Sequence, residues 1–194
     1  MKEKPRPRRF DLIVFDWDGT LFDSTALIVR CIQSACVDLG LAVPSDESAA
    51  YVIGLGLHDA LQHAVPGLSR DRYPELGRRY RHHYFARQHE LVLFPGTLEM
   101  LHALKARNHW LAVATGKSRQ GLDEALHTVQ LKGLFDGTRT ADETAGKPHP
   151  LMLQQLMREF SLVAGVSTVA TALDLLFVAV FSLGSFASLT LALF

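Results

Sequence analysis

The sequence predicts an α/β fold, a doubly wound parallel sheet carrying an inserted block of helices. Three observations carry this. Two short apolar runs, Leu12 to Phe15 and Trp110 to Thr115, have the length and unbroken apolar character of strands buried on both faces. Each is followed by a polar turn and then an amphipathic helical pattern, the alternation that sets strands side by side in parallel. Between Leu41 and His89, by contrast, no strand period occurs.

Composition narrows the field. A chain of 194 residues holds one full core plus a small insertion. Its formal net charge is +0, so no whole-molecule field steers nucleic acid or an anionic membrane toward it. A basic start, Lys2 to Arg9 with prolines at Pro5 and Pro7, reads as a solvated, poorly ordered leader. Cys31 and Cys36 share one expected helix and form neither a disulfide framework nor a zinc spacing, which suits a reducing cytoplasm. Of the 9 histidines, His82, His83 and His89 lie on one helix without a good i,i+4 ligand pair, and read as solvated faces.

In chain order, Leu12 to Phe15 is the first strand and ends at Asp16. Apolar residues Ile28, Cys31, Ile32, Ala35 and Leu39 recur at helical spacing, with Asp23 or Ser24 as cap and Gly40 as stop. Ser45 caps a second helix whose first turn holds Asp46 and Glu47. The run Gly54-Leu55-Gly56 breaks it, and helices over Leu57 to Val65 and Arg70 to His89 follow, parted by Pro66-Gly67. Such a helical block suits a cap that covers a site. Phe94-Pro95-Gly96-Thr97 returns the chain to the core, and a helix with Leu98, Leu101 and Leu104 on one face leads to Trp110 to Thr115. A helix carrying Leu122, Ala125, Leu126 and Val129 comes next, then a short strand at Thr138 to Thr140 and a helix from Leu151 to Phe160.

Three motifs sit at strand ends along this path. Alternation along an extended chain lets Asp16 and Asp18 face the same way just past the first strand. Two close carboxylates call for a cation between them, and oxygen donors suit Mg²⁺. Gly19 permits a tight turn whose backbone N–H groups can cradle a phosphate, with Thr20 beside it. Thr115-Gly116-Lys117-Ser118 places a hydroxyl at a strand end beside a helix N-terminus, a position suited to a phosphate oxygen. Gly146-Lys147-Pro148-His149-Pro150 holds Lys147, just ahead of two prolines, in a stiff loop at a helix entrance; Lys117 is its competitor.

Asp16-x-Asp18-Gly19-Thr20, followed by Thr115-Gly116 and Gly146-Lys147-Pro148, resembles the three leading motifs of the haloacid dehalogenase superfamily of hydrolases, in its phosphoglycolate-phosphatase-like branch. The dehalogenase branch lacks the second acid that Asp18 supplies. The resemblance implies a Rossmann-like core over residues 10–24 and 94–160 and a helical cap over 25–93. It also implies a Mg²⁺-dependent hydrolase of a small phosphomonoester such as phosphoglycolate. Asp16 would attack phosphorus and form an aspartyl phosphate, and Asp18 would serve as acid and then base. Thr115, Gly116, Gly19 and Thr20 would bind the phosphate, and Lys147 would offset its charge. Mg²⁺ would sit on Asp16, the Asp18 backbone carbonyl and an acid of a fourth motif. Alternatives are a non-catalytic, truncated relative, membrane-associated or not, and a phosphotransferase of the β-phosphoglucomutase type.

The fourth motif, a strand ending in Gly-Asp with a second Asp soon after, is not evident. From Ser161 to Phe194 the only ionisable side chain is Asp174, which leaves it as the candidate third metal ligand. Three accounts of this tail are open. It completes the sheet with an apolar strand and helix; or Leu175 to Phe194 anchors the chain in a membrane; or the reading frame was lost near Phe160. The sharp change in composition after three intact motifs favours the last.

Overall fold

The computed structural model describes residues 11–160 and 178–179. The chain runs β1 (Leu12–Phe15), α1 (Thr25–Asp38), α2 (Asp46–Tyr51), α3 (Leu57–Ala64), α4 (Tyr73–Arg87), α5 (Thr97–Ala106), β2 (Trp110–Thr115), α6 (Arg119–Thr128), β3 (Gly137–Thr140), α7 (Leu151–Glu159) and β4 (Val178–Ala179), with single 3₁₀ turns flanking α4. The four strands lie in the order β3-β2-β1-β4, every neighbouring pair parallel. The expected doubly wound sheet is therefore present.

Period-two alternation assigns the two faces. Leu12 and Val14 of β1 and Ala112 and Ala114 of β2 pack with Met152 and Leu156 of α7 on one side. Phe15, Leu111 and Val113 pack with Leu101 of α5 and Leu122 and Leu126 of α6 on the other. Leu98, expected on the buried stripe of α5, is instead 42% exposed. The buried face of α5 is that of Thr97 and Leu101.

The helical block has an apolar core of its own. Ile28, Val29, Ile32, Ala35 and Cys36 of α1 meet Ala49, Val52, Ala60, Leu61, Tyr73 and Leu76. Helix α1 serves both cores, because Leu27 and Cys31 turn toward the sheet. Both cysteines are buried and free. The block joins the sheet by two crossings that hydrogen-bond to each other: Asp23 N–H donates to Val92 O at 3.0 Å and Phe94 N–H to Leu21 O at 3.1 Å. As expected, the Ser45 hydroxyl caps α2, accepting from Ser48 N–H at 3.2 Å.

Two loops at the C-terminal sheet edge are tied together beside the site. Arg119, opening α6, pairs with Glu143 at 2.6 Å, and Ala141 N–H donates to Lys117 O at 3.0 Å. Hydrogen bonding from Arg119 holds the Glu143 carboxyl down at about 2, against an ordinary 4.5. A depressed acid stabilises the fold above its unfolded pKa and loses that contribution as pH falls through the folded one. With both side chains about a third exposed, the pair contributes roughly 0.5–1 kcal/mol. Glu143→Gln therefore lowers the urea midpoint at pH 7, and the deficit shrinks between about pH 4.5 and pH 2. A deficit that is the same at pH 7 and pH 2.5 contradicts the pairing.

No helix among the described residues is long and apolar enough to cross a membrane. The tail contributes Val178–Ala179 as a strand on the free side of β1, paired Val14 to Val178 and Phe15 to Ala179. Asp174 and the remainder of 161–194 lie outside the described residues, as does the basic leader.

Candidate active site

The site lies at the C-terminal ends of β1 and β2, where a parallel sheet presents its loops. Phe15 pairs with Val113, so the chain leaving β1 emerges level with Ala114 and Thr115. Trp17 is 0% exposed, stacked on Phe22 at 5.1 Å and edge-on to Phe135. That ring pins the loop from below, and the carboxylates on either side of it turn toward two lysines.

Asp16 Oδ1 accepts from Lys147 Nζ at 2.8 Å and from Trp17 N–H at 2.7 Å. Burial pushes the Asp16 carboxyl above its usual 3.8, and Lys147 together with the Trp17 N–H offsets this only in part. Lys147, the preferred lysine on sequence grounds, thus stands against the nucleophile candidate. Lys117 has a different partner: its Nζ lies 3.2 Å from Asp18 Oδ2 and donates to Tyr84 Oη at 2.7 Å, 4.6 Å above the Tyr84 ring. Burial alone would push the Lys117 ammonium down; the Asp18 carboxylate and the Tyr84 hydroxyl outweigh it and hold it above 10.5. The two lysines are not competitors. Each serves one carboxylate.

Ser24 differs from expectation. Its side chain does not cap α1; the buried hydroxyl donates to Asp18 Oδ1 at 2.8 Å. Asp18 is thereby held from both oxygens. Gly19 also differs in part. It turns the chain at φ +74°, as a glycine permits, but its N–H donates to Phe22 O at 2.9 Å and that of Thr20 to Trp17 O at 3.3 Å. These N–H groups build the turn and are not open to a phosphate, because a turn this tight closes on its own donors. Thr115 is buried, and its Oγ1 accepts from Lys117 N–H at 3.2 Å, which leaves the hydroxyl proton to donate.

The helical block closes over these residues through Gly54-Leu55-Gly56. Gly54 has φ +96°, and a Cβ there would lie 3.2 Å from Asp16 Oδ2. A Cβ on Gly116 would fall on the Leu55 carbonyl and lie 2.7 Å from Gly54 O. Two backbones therefore touch where the block meets the sheet edge, an approach only a side-chain-free Gly116 allows. Beside this contact opens a cavity of about 350 Å³, lined by Asp18, Gly116, Lys117, Gly146 and the inner faces of α1, α3 and α4.

Sequence reasoning missed Ser24 as a partner of Asp18, and Tyr84 altogether. Tyr84 carried no local signal, since only packing of α4 across the sheet edge brings it to Lys117. Of the histidines expected on solvated faces, His83 pairs with Asp38 at 2.9 Å, and among the described residues no group of three His, Cys, Asp or Glu is placed to hold a metal.

The donor chemistry nevertheless fits a hard divalent cation. Asp16 supplies a buried carboxylate whose charge is under-compensated, and Oδ1 carries both of its described contacts. The Asp18 carboxylate is engaged by Ser24 and Lys117, and the ligand set that the resemblance implies takes the backbone carbonyl of Asp18 and not this carboxylate.

Comparison with known proteins bears on this geometry. The family model for haloacid dehalogenase-like hydrolases matches residues 13–168. The chain is 31% identical over 162 residues to a phosphoglycolate phosphatase of Aliivibrio fischeri, covering 79% of this chain and 71% of that protein. It is likewise 31% identical over 166 residues to a 5'-nucleotidase of Pseudomonas aeruginosa, covering 81% and 74%. Among solved structures, a "predicted phosphoglycolate phosphatase" from Haemophilus somnus superposes with TM-score 0.70 at 30% identity, covering 79% of this chain and 73% of that one.

Proposed function

This chain belongs to the haloacid dehalogenase-like hydrolases, and from that premise we propose that it is a phosphatase of small phosphorylated metabolites, working through an aspartyl phosphate on Asp16. The observation that carries the reading is the pairing of each motif carboxylate with its own lysine: Asp16 with Lys147 at 2.8 Å and Asp18 with Lys117 at 3.2 Å.

In this reading an Asp16 carboxylate oxygen forms the bond to phosphorus as the ester P–O bond breaks. Asp18 gives its proton to the departing alkoxide, then takes one from the water that cleaves the acyl phosphate and returns Asp16 as a carboxylate. Because Asp18 faces Lys117, proton delivery needs that pair to loosen, and the Tyr84 hydroxyl offers Lys117 an alternative partner. Thr115 donates its hydroxyl to a phosphoryl oxygen, and Lys147 offsets the charge that gathers there. Asp16 and the Asp18 backbone carbonyl would hold Mg²⁺, which supplies further neutralisation of the phosphoryl oxygens. Gly54 and Leu55, packed over Asp16 and Gly116, keep bulk water from the acyl phosphate.

Two relatives at the same identity carry names with different leaving groups, so resemblance alone does not choose the substrate. The test is phosphate release by the purified full chain from phosphoglycolate, nucleoside 5'-monophosphates and p-nitrophenyl phosphate. Turnover with Mg²⁺ that falls at least about 100-fold in EDTA is expected. Turnover indifferent to EDTA removes the metal from the reading, and no release from any ester removes the hydrolase.

A further inference from the structure

Resting on the phosphomonoester reading, we infer that the group released with the phosphate is a bulky, apolar alcohol rather than a two-carbon acid. The proton donor locates the leaving group. Asp18 has to touch the departing oxygen, and Asp18 lines the cavity of about 350 Å³ between the sheet edge and the helical block. The phosphoryl end belongs with Asp16 and Lys147, so the organic end projects into that cavity.

The apolar part of its wall is Ile28 and Ile32 of α1, Val52, Leu57 of α3, and Tyr80 and Phe85 of α4. A cavity of this size falls in the range, roughly 300–1,000 Å³, that encloses a whole organic ligand with a few polar groups placed for orientation. A short carboxylate would leave most of the wall uncovered and would need a cation. Lys117 is committed to Asp18 and Tyr84, and Arg81, the other cation of the lining, is exposed, where solvent weakens its hold on a carboxylate. His58 is engaged as well, 2.9 Å from Gln62 Nε2 and edge-on to Tyr73. The chemistry of the wall thus selects apolar surface with an aromatic or branched outline.

Calorimetric titration of the full chain with Mg²⁺ and a series of non-hydrolysable phosphonates tests this without requiring turnover. Across ethyl-, butyl- and benzylphosphonate, affinity rises by roughly fourfold per added methylene equivalent, with an increasingly negative heat-capacity change. 3-Phosphonopropionate, in which a methylene replaces the ester oxygen of phosphoglycolate and so sets its carboxylate at the reach of glycolate, binds more weakly than benzylphosphonate. Phe85→Ala, at a 40% exposed ring on the wall, flattens the gradient. A flat series, tightest binding by 3-phosphonopropionate, or a gradient untouched by Phe85→Ala overturns the inference. A gradient that survives in a chain with no phosphatase turnover would leave the pocket assignment standing and remove the proposed function. Failure of every phosphonate to bind removes both.

Discussion

Asp16→Asn abolishes turnover, with phosphate release falling by at least about 10⁴-fold, the scale on which loss of a nucleophile acts. The amide keeps the size and shape of the carboxylate but cannot attack phosphorus. It also removes a buried carboxyl whose charge burial already disfavours, and leaves Lys147 facing a neutral amide oxygen in place of its 2.8 Å ion-pair partner. These two effects on stability oppose each other, so the melting temperature moves by only a few degrees while activity disappears. Retained turnover beyond about one per cent would take the nucleophile role from Asp16. Acid trapping of the enzyme with a labelled phosphoester gives an independent reading: wild type retains base-labile label and Asp16→Asn does not.

Gly116→Ala gives the second large effect, by another route. The backbone at this position accepts an alanine, since its φ is not in the left-handed region, but the new methyl falls on the Leu55 carbonyl. The obstructing atoms are backbone, so no side chain swings aside and the Gly54-Leu55-Gly56 segment has to withdraw from the sheet edge. Activity falls by about 100-fold or more, as expected when a site is opened by an ångström or so. Overpacking costs about 1–3 kcal/mol if the contact is kept, and less if the helical block swings clear. Hydrogen exchange separates the two variants. Amides of residues 52–57 exchange faster in Gly116→Ala and at the wild-type rate in Asp16→Asn. Unchanged exchange and activity in Gly116→Ala would mean that the contact plays no part in turnover.

The legible part of this protein was the part encoded locally. Buried strands announce themselves by short apolar runs, and Leu12–Phe15 and Trp110–Thr115 appear where that pattern puts them. The Ser45 cap was readable because a serine directly after a proline, ahead of two acids, has few other uses. Lys147 was singled out for the stiffness of its prolines, and it meets Asp16. The Ser24 hydroxyl was misread for a related reason. A serine before a helix caps it by default, and only the fold supplies a stronger acceptor in Asp18. The phosphate cradle expected at Gly19 and Thr20 rested on the tight turn a glycine permits, and the turn's own hydrogen bonds engage those N–H groups.

Sequence by itself determined the order of strands and helices, the edge of the sheet at which function gathers, and the residue types that gather there. Apolar periodicity and turn chemistry act over a few residues, and those are the distances at which a chain reports on itself. The tertiary structure alone decided that Lys117 belongs to Asp18 and Lys147 to Asp16. It also decided that Tyr84 reaches over from the helical block, that Gly116 has to be bare beneath Leu55, and that the cavity beyond Asp18 is walled with apolar side chains. Each of these joins residues dozens of positions apart. Charge pairing and backbone contact act through space, and the packing of α4 and the Gly54-Leu55-Gly56 segment on the sheet edge sets those distances.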